Sequence, residues 1–167
     1  MHFGADVSTP EKNQLRYKRG YLETLALIER LHRLLLDVIK DDFERAGASD
    51  VNAVQALLLY NIGDSELTAG ELRSKGYYQG SNVSYNLKKM VELGYINHER
   101  CVMDRRAVRI KLTTQGKDIQ SKVAALFERH IDKIASIPLY STDEVASQTD
   151  MLRRLERFWS DQIRFIY

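Results

Sequence analysis

Cysteine is nearly absent from this chain: Cys101 stands alone among 167 residues, so no intrachain disulfide framework can form. Proline is almost as scarce, occurring only at positions 10 and 138, which leaves the stretch between them open to long helices. No apolar run nears the roughly 18 residues that suggest a membrane span. The opening residues, Met1 to Asp6, have neither a basic start nor an apolar core. No secretory signal is therefore expected, and with so little cysteine a bacterial cytosolic setting is. The spacings of catalytic and metal sites are missing too. His2, His32, His98 and His130 are scattered over different segments without ligand-spaced neighbours. Gly70, Gly76 and Gly80 fit helix ends and turns better than a phosphate-cradling loop. Neither an enzyme nor a bound metal or cofactor is expected.

The net charge of +2 is small, but its distribution is uneven. From Asp37 to Glu71 there are eight acidic residues against Lys40 and Arg45. From Leu72 to Lys111 there are nine basic residues against Glu92, Glu99 and Asp104. Such a reversal suits a polyanion-binding segment, though taken alone it is more simply a solvated face.

Ser8-Thr9-Pro10-Glu11 has capping-box spacing with proline in the first turn, and predicts a long helix to about Ala46, stopped by Gly47. Gly20 should weaken or bend it. From Leu22 to Ile39 its apolar residues go round most of the circumference, which implies burial on several sides and, in so small a chain, a second subunit. A second helix should follow Ser49-Asp50 with Val54, Leu57 and Leu58 inward, ending at Gly63. Glu66-Leu67-Thr68 reads as a short extended piece, and Thr68 to Glu71 as a capping box opening a helix to about Lys75. After a turn at Gly76 to Gly80, Ser81 can cap a fourth helix with Val83, Leu87, Met90 and Val91 inward, stopped by Gly94. The period then changes to two: Tyr95 to Met103 is extended, Asp104 to Ala107 is a polar turn, and Val108 to Leu112 alternates strictly. These pieces form a two-stranded hairpin with basic residues at its tip and on one strand. Thr113 can cap a helix to Ala135, and Ser141-Thr142-Asp143-Glu144 opens a last one that runs to the apolar end Phe165-Ile166-Tyr167.

This order of elements resembles the MarR family of bacterial regulators. The specific likeness lies in Asp104 to Gly116, similar to the family's wing signature: an Asp-x-Arg turn, an alternating strand, then Leu-Thr-x-x-Gly. Leu87 to Ile96 resembles the end of a recognition helix and the entry to the wing. The run Gly76 to Asn86 is similar to an alphaproteobacterial branch that includes regulators of L,D-transpeptidase genes. Tyr85 departs from the pattern, standing where many members carry arginine or another polar residue.

The resemblance implies a mainly α fold with a small β-hairpin wing: a winged helix-turn-helix flanked by long dimerisation helices. Residues 1–48 would be the first dimerisation helix, 49–113 the DNA-binding region and 114–167 the second dimerisation part, all within one fold. The expected partner is double-stranded DNA with a pseudo-palindromic operator, read by a homodimer because one helix reads too few bases. An α-helix fits the major groove, where each base pair has its own donor and acceptor pattern. Ser81 and Asn82 near the helix start suit phosphates. Ser84, Tyr85 and Lys88 suit base edges, with Asn86 and Lys89 beside them. In the wing, Arg106 matches the arginine that the family inserts into the minor groove, oriented by a salt bridge from Asp104. Arg105, Arg109 and Lys111 would add phosphate attraction. The dimer surface is expected from Leu15, Leu22 and Leu25 with Leu152, Leu155, Phe158, Trp159 and Ile163; an intrachain core is the plainer alternative. By family analogy a small-molecule effector would bind between the first helix and the winged domain, near His32, Leu36 and Tyr60, residues that would serve equally well as core. Repression through that effector is the expected mode. The alternatives are a winged-helix protein-interaction module and a DNA-binding protein without a ligand. Cys101, on the wing strand, reads as a packed or idle thiol rather than a peroxide sensor.

Overall fold

The long helix stops where its sequence demands, while the cap expected at Ser8 lies outside the described residues. A computed structural model describes residues 9–47, 50–68, 71–72, 80–100, 108–137 and 141–166, and within helices and strands the side chains of 9, 80–84, 100, 108, 165 and 166 fall outside the described set. Helix α1 spans Thr9–Arg45, with Gly47 just beyond it at φ 69°, the left-handed conformation that glycine adopts without steric cost. Gly20 does not interrupt it: the helix is continuous there, and the Thr24 hydroxyl donates to the Gly20 carbonyl at 2.9 Å. The apolar circumference divides along the length. Ile39 and Phe43 are buried near the C-terminal end, whereas Leu15, Leu22, Leu31 and Leu34 are exposed.

Helix α2 spans Ala53–Ile62, later than Ser49-Asp50 suggests, because Asn52 supplies the cap. The Asn52 Oδ1 accepts from Gln55 N at 2.9 Å and Gln55 Oε1 accepts from Asn52 N at 3.2 Å, a closed capping box. The buried face is Gln55, Ala56, Leu58, Leu59 and Ile62; the segment is apolar nearly all round, so its sequence marks no single inward side. Of the predicted stripe only Leu58 is fully inside; Val54 and Leu57 are half-buried. Strand β1 follows at Leu67–Thr68. The Thr68 and Glu71 box closes as expected, at 2.6 Å and 3.1 Å, ahead of helical residues Glu71 and Leu72.

Helix α3 spans Gly80–Glu92, so Ser81 lies inside its first turn rather than capping it. Strands β2 (Ile96–Arg100) and β3 (Val108–Leu112) pair antiparallel with Ile96 opposite Leu112 and Glu99 opposite Arg109. The sheet has three strands, not two, in the order β1-β3-β2, because β1 also pairs with β3 through Leu67↔Ile110 and Thr68↔Arg109. The alternation of β3 is realised: Ile110 and Leu112 are buried, Arg109 and Lys111 exposed. Helix α4 spans Thr114–Ala135 and α5 spans Thr142–Ile166. The α5 box closes through Ser141 and Glu144, whose carboxylate accepts from Ser141 N at 2.8 Å. Those hydrogen bonds hold the Glu144 carboxyl below its ordinary range.

The chain divides into two compact units, 1–123 and 124–167. The first unit has its own core, built from Ile39, Leu58, Leu59, Ile62, Met90, Ile96 and Val123, each at most 2% exposed. Burying each such side chain contributes roughly 1.5–3 kcal/mol. The second unit differs: from Ser141 to Arg164 every residue but Leu155 is exposed. Among the described residues no helix is long and apolar enough to cross a membrane.

Candidate nucleic-acid interface

Helix α3 has an inner and an outer side. Met90 is fully buried, Leu87 and Val91 half-buried, and these anchor the helix on the core. One to two turns away on the opposite side, Tyr85 is 68% exposed, with Lys88 and Lys89 beside it three and four residues on. Lys89 lies 3.9 Å from Glu92, a surface pairing of small worth. Asn86 is half-buried. Ser81, Asn82 and Ser84 are on the same helix, their side chains outside the described residues, as are Asp104, Arg105, Arg106 and Cys101 altogether.

A clasp ties the end of α3 to the start of α4. Gly94, at φ 78°, closes α3 and turns the chain into β2. The Thr113 hydroxyl donates to the Gly94 carbonyl at 2.7 Å and accepts from Gly116 N at 3.1 Å. Thr113 N donates to the Tyr95 carbonyl at 3.1 Å. A methyl group on Gly116 would stand 2.1 Å from that same carbonyl oxygen. The Thr and Gly of the Leu-Thr-x-x-Gly signature thus have separate tasks: one caps and bridges, the other makes room for backbone.

The outer face of the sheet holds a contact that sequence reasoning missed. Arg109 donates to Glu66 at 3.3 Å, and the Lys111 ammonium to its other oxygen at 3.1 Å. These bonds, that from Lys111 first, hold the Glu66 carboxyl below its ordinary range. Glu66 precedes β1 by one residue, so the signal was there only once β1 was known to pair with β3.

The residues expected at a dimer surface remain open to a partner. Leu15 is 67% exposed, Leu22, Leu152, Phe158 and Ile163 about half, and Trp159 somewhat less, while Leu25 and Leu155 are half-buried. For the expected ligand contacts, His32 is exposed and Leu36 and Tyr60 are half-buried. None of them lines the cavity of about 530 Å³ that opens among Val51, Leu93, Tyr95, Gln115 and Ile119.

Comparison with known proteins fits this arrangement. The MarR family model matches residues 49–107. The chain is 32% identical over 87% of its length to the exopolysaccharide II synthesis transcriptional activator ExpG of Rhizobium meliloti, covering 74% of that protein. It is 23% identical over 83% of its length to the HTH-type transcriptional repressor YetL of Bacillus subtilis, covering 84% of it. Among solved structures, Streptococcus pneumoniae FabT in complex with DNA superposes with a TM-score of 0.66 at 20% identity, over 84% of this chain and 98% of that one. By the family model over 49–107 and the likeness to ExpG along most of its length, the chain belongs to the MarR family of transcription regulators.

Proposed function

We propose that this protein is a sequence-specific double-stranded DNA-binding transcription regulator, acting as a homodimer in the cytoplasm and without catalytic activity. One observation carries the reading. The outer side of α3 presents Tyr85, Lys88 and Lys89 to solvent, while Met90 on the inner side fixes the helix to a rigid core. A helix held in that way can enter the major groove with base-reading side chains leading. Ser81, Asn82, Ser84 and Asn86 complete the proposed set, and Arg106, oriented by Asp104, reaches the minor groove. Membership of the family supports regulation of transcription but not its sign, since one relative is named an activator and another a repressor.

The test compares binding to operator and to unrelated duplex over a range of salt. Binding to both should weaken steeply with salt, and the operator should keep a large preference. A salt-independent interaction would instead point to a protein-docking module. Within that assay, Arg106→Ala should cost about 1–3 kcal/mol, concentrated at operators with A·T-rich flanks. Arg105→Ala should act evenly across sequences and lower the salt slope by about one unit. Identical behaviour of the two variants would refute the division of roles.

Regulation by a small molecule is part of the same reading, with His32, Leu36 and Tyr60 as proposed contacts. Ligand that binds the DNA-incompetent arrangement better must itself bind more weakly when operator is present, by the same factor. Typical allosteric coupling of about 1–3 kcal/mol corresponds to roughly 5–150-fold. An effector found by thermal-shift screening would be titrated with and without operator. Equal affinity in both titrations leaves a regulator without an allosteric ligand.

A further inference from the structure

The register of the sheet determines what surrounds Arg109 and Lys111. Leu67↔Ile110 and Thr68↔Arg109 pair β1 with β3, and one step back along that register sets Glu66 beside Lys111. On the other side of β3, Glu99 lies opposite Arg109 and Asn97 opposite Lys111. Because alternate residues share a face, all these side chains stand on the solvent side, away from buried Leu67 and Ile110. Two cations on the middle strand are therefore flanked by two carboxylates, and among the described residues the strand charges on this face balance. The sequence count of basic residues in this region overstates what a polyanion would meet.

Glu66 does more than dilute the charge. It takes one hydrogen bond from each cation, at 3.3 Å and 3.1 Å, through separate oxygens. That is the geometry in which a phosphate would take them. All three side chains are 44–56% exposed, so the fork adds little to stability, as exposed ion pairs do. Its main consequence is that the carboxylate offsets both cations, so that a phosphate must compete with it for their hydrogen bonds and their charge.

We propose that Glu66 is an internal substitute for DNA phosphate, occupying Arg109 and Lys111 in the free protein and competing with duplex for them. The inference rests on the DNA-binding reading above and adds to it an electrostatic limit on non-specific affinity. With Glu66 in place the wing strand contributes little general attraction, and discrimination is left to α3 and the wing tip.

The experiment is a double-mutant cycle on the full-length protein, read by binding to a short labelled duplex of arbitrary sequence across a salt series. Glu66→Gln keeps the size of the side chain and removes the competing charge. It should tighten binding by about two- to fivefold at low salt, the range of an exposed ion pair. It should also steepen the salt dependence by roughly one to two units, as one or both cations become free to displace counterions. In an Arg109→Gln, Lys111→Gln background the same substitution should change neither quantity. An equal gain in both backgrounds would mean that only net charge matters, and no gain in the wild-type background would mean no competition; either overturns the proposal. Wild-type protein that binds neither this duplex nor operator would bring down the DNA-binding reading itself, and the competition with it. Cooperative thermal melting of each variant establishes that folded proteins are being compared.

Discussion

Leu152→Asp combined with Ile163→Asp should turn a dimer into a monomer and weaken operator binding by about 10²–10⁴-fold, the advantage that joining two binding modules confers. The two residues share one stripe of α5 with Leu155 and Trp159, at spacings of three and four that keep all four on one side of a helix. Leu152 and Ile163 are about half exposed within one chain, and α5 as a whole has hardly any cover of its own. Two aspartates there would have to be desolvated in any apolar interface, a cost that the interface cannot offset without partners for them. The winged region lies in the other unit, with its own core, and should stay folded. Light scattering gives the mass, and titration with operator gives the affinity. A variant that keeps the dimer mass and wild-type affinity would show that α5 is not the interface.

Gly116→Ala should destabilise the protein by about 3 kcal/mol, the upper end for forcing an extra methyl group into a packed site. The group it meets is the Tyr95 carbonyl oxygen at 2.1 Å, which is backbone and already engaged by Thr113 N. Neither can yield without moving the start of β2 or the first turn of α4. Gly20→Ala is the natural control, because nothing lies within 4 Å of the added methyl and α1 is helical there. It should be neutral or stabilising, since alanine favours helix over glycine by about 1 kcal/mol. Chemical denaturation measures both. Equal stability of Gly116→Ala and wild type would refute the clasp as described.

How far the sequence revealed this structure depended on whether a signal was local. Thr68 with Glu71, and Ser141 with Glu144, closed their capping boxes because both partners lie within four residues and need only a helix start between them. The two-residue period of Val108 to Leu112 was equally legible, and so was the stop at Gly94. Helix α2 was misplaced because two caps competed: Asp50 precedes the apolar run, but only Asn52 has a glutamine three residues on. Its buried face was misread for a separate reason: with Ala53 to Leu59 apolar at all but one position, no side of the helix stands out. Glu66 to Thr68 was legible as a short extended piece, but its pairing with β3 and the Glu66 fork were not, since they depend on which distant segment lies beside β3. Tyr85 and the lysines of α3 were found through family resemblance more than through pattern, because an exposed polar face looks the same whether it meets water or DNA.

The hydrogen bonds among Gly94, Tyr95, Thr113 and Gly116 link the end of α3 to the start of α4 as a coupling rod links two arms. Through them a rotation of the first turn of α4 would act on the end of α3. Over its 13 residues α3 is roughly 20 Å long, so a tilt of about 5° at the clasp moves its far end by about 1.7 Å. Hydrogen bonds to base edges survive only a few tenths of an ångström of stretch, so a tilt that small is enough to part them. The side chains proposed to read sequence, from Ser81 to Lys89, lie at different distances along this lever, and whatever turns α4 works its short arm.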